Sequence, residues 1–223
     1  MNDHQLSLPI EAFMAAAEQE QLQWERSSES QFIDAVHSGD MPRIKALWAQ
    51  GINVRKMTWQ WGESPLECAI EQDNVAVVKT LLELGLDPYY GLFDLPLTLA
   101  ITKGSVEIIL AFIEAGMDVN RNVESEPGRW TPLMCAAHFG QLEIAKILIK
   151  NGADLDARIE EDWNMTTRGG WTALTYAACQ GHIEIVKLLV GHGADVDVVT
   201  AEGRTAFDYA IEQGNTAIFN YLF

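Results

Sequence analysis

Residues 128–156, GRWTPLMCAAHFGQLEIAKILIKNGADLD, carry a full set of start and stop signals for two short helices. The Thr131 hydroxyl can accept a backbone N–H, and Pro132 suits the first helical position because its missing donor costs nothing there. A first helix therefore begins at Pro132 and ends near Gly140, which can adopt the left-handed conformation that closes a helix. A second helix follows, with Leu142, Ile144, Ala145, Ile147, Leu148 and Ile149 as its apolar positions, and stops at Gly152. Glu143 early and Lys146 and Lys150 late suit the helix dipole, a gain of roughly 0.3–1 kcal/mol each at best.

The same block recurs along the chain. WTALTYAACQGHIEIVKLLVGHGADVD begins at Trp171, ESPLECAIEQDNVAVVKTLLELGLDP at Glu63 and DLPLTLAITKGSVEIILAFIEAGMDVN at Asp94. The turn between the two helices falls at Gly39, Asp73, Gly104, Gly140, Gly181 and Gly214. A second glycine follows 12 positions later at Gly51, Gly85, Gly116, Gly152 and Gly193. The connectors alone vary, with 11 to 21 positions from the second glycine to the next Pro or Ala anchor. Fixed helix pairs with variable connectors describe an all-α repeat solenoid, in which each pair buries its face against its neighbours.

The chain resembles the ankyrin-repeat family, whose T-P-L-H-x-A and G-A-D-V-N signatures stand here as TPLMCAA (131–137), TALTYAA (172–178), GADLD (152–156) and GADVD (193–197). The resemblance covers about residues 31–223 and departs from the pattern at Leu95, Asp73 and Pro88, with Asp94 as the expected cap of its helix. It implies stacked helix pairs with β-hairpin-like finger loops between them. The units expected are 31–60 as N-terminal cap, 61–93, 94–127, 128–169, 170–202 and 203–223 as C-terminal cap.

Residues 1–30 lie outside this pattern. Ser7-Leu8-Pro9 is a helix start, and Ile10, Phe13, Met14 and Ala17 follow at helical spacing, so an added N-terminal helix covering the first repeat is expected. Ser30 is the expected N-cap of the first repeat helix. At the other end, Ile218, Phe219, Tyr221, Leu222 and Phe223 make the last helix unusually apolar. Those residues either fold back over the core of a monomer or contact another chain, and dimerisation through this end stays open.

The formal charge of −17 opposes contact with phosphate backbones and anionic lipid, which argues against nucleic acid or membrane as a partner and for a basic protein. Simple solubility explains the charge equally well. Three cysteines without a CxxC pairing indicate neither a disulfide framework nor a zinc site. With no basic leader and no apolar run approaching ~18 residues, a cytoplasmic protein is expected. Asp154, Asp156, Asp195 and Asp197 lack the remaining ligands of a calcium loop and read as ordinary repeat loops. No cofactor, metal or catalytic motif is expected. A Cys179–His138 nucleophile pair across adjacent repeats is conceivable, but no third orienting group or oxyanion site accompanies it. His182 stands where the family commonly has a histidine, and it and His192 read as structural.

The resemblance also implies where a partner binds: finger tips and the exposed ends of the first helices, which form a concave face. Carried over by position, this selects Trp130 and Trp171 before the threonine caps, and His138, Phe139, Cys179 and Gln180 before the turn glycines. Large rigid aromatics are typical binding anchors. They equally suit packing against the fingers. The longest connector adds Glu160, Glu161 and Asp162 beside Trp163, a combination suited to a basic, partly apolar surface. Trp59, Trp61, Tyr89, Tyr90 and Phe93 form a second aromatic group, read as mutual packing between fingers. The expectation is a non-catalytic module that binds a basic protein, as an inhibitor or immunity-type protein or as an assembly adaptor or chaperone-like subunit. An enzyme using Cys179 is the competing class, and a structural spacer follows if the aromatics are internal.

Overall fold

The structure, a computed structural model, describes residues 27–53, 64–89, 95–125, 128–158 and 169–223. The expected helix at 1–26, Asp94 as a cap, the aromatics Trp59, Trp61, Tyr90 and Phe93, and the acidic finger Glu160 to Trp163 lie outside the described residues.

Twelve described helices form six consecutive pairs. They are α1 (Ser28–Ser38) with α2 (Met41–Trp48), α3 (Pro65–Glu71) with α4 (Val75–Glu83), and α5 (Leu95–Lys103) with α6 (Val106–Glu114). Then follow α7 (Pro132–His138) with α8 (Leu142–Lys150), α9 (Ala173–Gln180) with α10 (Ile183–Gly191), and α11 (Ala206–Glu212) with α12 (Thr216–Leu222). Between the third and fourth pairs, β1 (Val123–Ser125) and β2 (Gly128–Trp130) form an antiparallel hairpin with Val123 opposite Trp130. This is the helix-pair solenoid with hairpin fingers that the repeats imply.

The helix starts follow from the caps. Thr131 and Thr172, both buried, accept the N–H groups of Met134 and Thr175 at 3.3 Å, and Ser64 accepts that of Glu67. Thr205 and Asp208 cap reciprocally, with Asp208 Oδ2 accepting the Thr205 N–H at 2.8 Å. Ser30 is not the cap of α1. Ser27 is, accepting the Ser30 N–H at 3.1 Å, because Ser28, Glu29 and Ser30 continue the helix for another turn and Glu29 is favourable at its N-terminus.

Each pair turns through one residue in the left-handed region. Glycine supplies five of these turns, and Asp73 the sixth at φ 53°. Aspartate tolerates that region better than most residues, and Ser105 Oγ of the next repeat donates to its carboxylate at 2.9 Å. In the fourth, fifth and sixth pairs the residue after the turn reaches back to the preceding repeat, whose first helix ends with carbonyls lacking helical partners. Gln141 Nε2 donates to Thr102 O (3.0 Å), His182 Nε2 to His138 O (3.1 Å) and Asn215 Nδ2 to Ala178 O (2.8 Å). His182 is structural in this sense, and His192 Nδ1 bonds Leu188 O within its own helix. The loops after the second helices repeat the device: Asn120 Oδ1 accepts from Asp154 N, and Asp156 Oδ1 from Asp195 N. Asp154 and Asp195 likewise accept from Asp156 and Asp197 N–H groups.

The core follows the same phase. Phe32, Leu66, Leu97, Leu133 and Leu174, seven residues before the turn, and Val36, Ile70, Ile101, Ala137 and Ala178, three before it, are all buried. So are Ile44, Val78, Ile109, Ala145 and Val186, five after the turn, and Leu47, Leu81, Phe112, Leu148 and Leu189, eight after. Each large one contributes about 1.5–3 kcal/mol. Together they form one apolar column. Cys135 is wholly enclosed in it, beside the Thr98 hydroxyl, and burial pushes its thiol up to about 12.

A Cβ on Gly140 would lie 2.6 Å from the His182 ring, at φ 73°. Gly140→Ala therefore combines backbone strain of about 1–2 kcal/mol with a clash. In urea unfolding it should destabilise the chain by clearly more than that strain alone, and by less when combined with His182→Ala, because the clash then disappears. At Asp73 the opposite behaviour is expected. Asp73→Gly relieves the φ strain while losing the Ser105 bond and should fall within about 0.5 kcal/mol of the parent, whereas Asp73→Ala should lose about 1–2 kcal/mol.

Candidate protein-binding face

The residue before each threonine cap and those before each turn lie at the two ends of the first helices, so the repeat geometry sets their spacing. Trp130 ends β2 and Trp171 precedes α9, each directly before its cap. Neither presents contact surface, which favours the packing alternative over partner anchors: Trp130 is 3% and Trp171 6% accessible. The reason is Tyr176 and Tyr209, which occupy the same position, five residues before the turn, in successive repeats. Trp130 lies 4.8 Å from the Tyr176 ring, Tyr176 4.8 Å from Trp171, and Trp171 4.6 Å from Tyr209, all between centroids and all tilted. The indoles thus join three repeats into one aromatic run. Tyr209 ends it, its hydroxyl bonded to Thr200 Oγ1 and Glu202, and burial, the foremost cause, raises its pKa above the usual phenol value. The common phase of the two tyrosines was the available signal for this run, and the sequence reading passed over it.

The residues above the run remain at the surface. His138 packs on Trp130 at 4.9 Å and edge-on to Tyr176 at 5.6 Å. Gln180 Nε2 approaches His138 Nδ1 at 3.3 Å. Phe139 meets the His138 ring edge-on at 4.8 Å and Trp130 at 6.4 Å, yet stays 42% exposed. Gln180 is exposed and Cys179 half-buried, with the Cys179 carbonyl accepting from Asn215. The structure therefore gathers His138, Phe139 and Gln180 into one patch whose floor is Trp130. Glu160, Glu161, Asp162 and Trp163 lie outside the described residues.

In the second aromatic group, Tyr89 is buried, donates its hydroxyl to the Asp118 carbonyl and carries the Arg121 guanidinium 4.2 Å above its ring. This agrees with its reading as packing between fingers.

The field around the patch is set by paired and unpaired charges. Lys45, Lys79, Arg121, Lys146, Lys187 and Arg204 each lie within 3.7 Å of a carboxylate. Lys103, beside the patch, donates to the Glu71 carbonyl at 2.9 Å. The excess of acid is consequently carried by exposed carboxylates such as Asp118, Asp154, Asp195 and Asp197. Among the described residues, no group of three or more His, Cys, Asp or Glu side chains is placed to hold a metal ion. None of the described helices is long and apolar enough to cross a membrane.

Comparison with known proteins agrees with this geometry. The family model described as ankyrin repeats (3 copies) matches residues 93–159 and 157–223. The chain is 32% identical over 144 residues to a transient-receptor-potential-like protein of Drosophila melanogaster, covering 56% of this chain and 12% of that one. It is 30% identical over 126 residues to the ankyrin repeat, SAM and basic leucine zipper domain-containing protein 1 of Dasypus novemcinctus, covering 55% and 26%. It is 42% identical over 60 residues to protein phosphatase 1 regulatory subunit 12A of Mus musculus, covering 27% and 6%. In each case the match spans about a quarter or less of the relative's length. The phase of the helix pairs, the reach-back bonds and the family match together establish that this chain belongs to the ankyrin-repeat family, whose members are in general protein–protein interaction modules.

Proposed function

We propose that the chain is a non-catalytic module that binds a basic protein through the patch of His138, Phe139 and Gln180. The observation that carries this reading is Phe139: a large apolar ring left 42% exposed on a support of buried aromatics, in a molecule of charge −17. A ring held in this way loses little conformational freedom on contact, which suits a binding anchor. Trp130 and Trp171 act from beneath, fixing the pose of His138 and the spacing of the repeats. Cys179 borders the patch. The acidic residues 160–162 with Trp163 are included in the proposed partner-binding set on their chemistry alone.

Charge and apolar contact divide the work. Unpaired carboxylates accelerate encounter with a basic partner, while burial of Phe139 sets the lifetime of the complex. The finer reading is an inhibitor or immunity-type protein that covers a basic enzyme or toxin. Its measurable counterpart is an adaptor, which leaves the partner's activity intact at equimolar complex where an inhibitor abolishes it.

Affinity capture from the source organism's lysate, with elution by salt and identification by mass spectrometry, should yield a basic protein. Phe139→Ala should weaken that complex by roughly thirtyfold, about 2 kcal/mol, and raised salt should slow association more than it speeds dissociation. Capture that is indifferent to Phe139 and to salt would overturn the reading.

A further inference from the structure

The second helices α4 and α6 pack along one another, and between them opens a hollow of about 260 Å³ lined by Lys79, Leu82, Glu83, Ala111, Glu114 and Ala115. Small side chains on α6 make room for it. Ala111 and Ala115 stand seven and eleven residues after the turn at Gly104, and at the same places the next two repeats carry Ile147 and Asn151, then Leu188 and His192. Ala111 is buried and Leu82 half-buried, so the base of the hollow is apolar. The carboxylates of Glu83 and Glu114, on side chains 67% and 68% exposed, stand at its rim. Each has one lysine beside it: Lys45 Nζ lies 3.5 Å from Glu83, and Lys79 Nζ 3.3 Å from Glu114. Exposed single pairs of this kind contribute little and exchange readily. α6 itself, VEIILAFIE, carries two glutamates and no basic residue.

Volume and chemistry together select the occupant. The hollow is smaller than the ~300–1,000 Å³ of small-molecule pockets and suits one long side chain. A purely apolar side chain would desolvate the rim carboxylates and give them no partner. A lysine has the right stem but ends in a point charge. An arginine meets both demands, because its methylenes can lie on Leu82, Ala111 and Ala115 while its planar fork of donors addresses two carboxylates. We infer that the hollow between α4 and α6 receives an arginine side chain presented by a partner protein, with the guanidinium between Glu83 and Glu114. A protein is the fitting source, since the family consists in general of protein–protein interaction modules. The site shares no residue with the patch around Phe139 and does not depend on it.

The test titrates the full chain, isotope-labelled at its alanine methyl groups, with N-acetyl-arginine methylamide and with the lysine and neutral citrulline analogues. Titration runs to about 10 mM, because one side chain alone is expected to bind in the millimolar range. NMR shifts should appear at Ala111 and Ala115, largest for arginine, smaller for lysine and smallest for citrulline. Glu83→Gln combined with Glu114→Gln, both at exposed positions, should weaken arginine binding by about fivefold or more. Ala115→Leu, also at an exposed position, should block it by filling the hollow, and Lys79→Ala should strengthen it by releasing Glu114. Phe139→Ala should leave it unchanged, so the outcome here is separate from that for the patch. Absence of shifts at the two alanines, an equal response to arginine and citrulline, or binding that survives the glutamine or leucine variants would each overturn the inference. So would weaker binding in Lys79→Ala, or tighter binding of free arginine than of the capped compound, since the ligand would then be the amino acid itself.

Discussion

Everything in this chain hangs on the left-handed turn between the two helices of each repeat. A residue at positive φ closes the first helix, leaves its last carbonyls without helical partners, and opens the backbone on one side. The next repeat fills both needs with the residue after its own turn. Gln141, His182 and Asn215 each lie against the preceding glycine and donate to carbonyls of the preceding first helix. One local backbone constraint thereby becomes an interaction between repeats, repeated along the solenoid. Where glycine is missing, at Asp73, the next repeat responds with Ser105, whose hydroxyl satisfies the carboxylate instead.

Because the bond between repeats is tied to the turn, the phase of the whole fold was legible from one block. The spacing of Gly140 and Gly152, together with the Thr131-Pro132 start, suffices to place the four buried core positions in the first five pairs. Phase does not reveal which surface residues are covered by a neighbour. Trp130 and Trp171 fall on the face where partners bind in this family, yet their burial depends on Tyr176 and Tyr209, side chains from the following repeats. Reading each repeat singly misses this, since the relevant contact is with residues 46 and 38 positions away. Ser30 failed as a cap for a simpler reason. Ser28, Glu29 and Ser30 itself can all join the helix, and hydrogen-bond chemistry alone does not choose between Ser27 and Ser30, one turn apart.

The acidic excess also takes its form from the repeats. Loop aspartates are required as acceptors for backbone N–H groups, both within a loop and across to the next one, as at Asp156 and Asp195. Asp154 and Asp195 hold the loops while remaining exposed, and Asp156 does so half-buried, so structure and field share the same residues. Six of the cations sit in ion pairs, four of them on helices. Exposed pairs of this kind contribute about 0–1 kcal/mol each; their greater effect is to reduce the positive charge that offsets the loop carboxylates.

The two candidate surfaces differ in origin. Phe139 is an addition to the repeat plan: the turn geometry demands nothing apolar there, and its neighbours supply only a support. The hollow beside Ala111 and Ala115 is a subtraction from that plan, opened where side chains are smaller than at the same phases of the next two repeats. In a solenoid each unit contacts only its neighbours, so stability is close to a sum of local terms. Changes at Glu83 in the second repeat and Phe139 in the fourth share no direct partner and should therefore act additively. That separation keeps a change in one repeat from distorting another two repeats away.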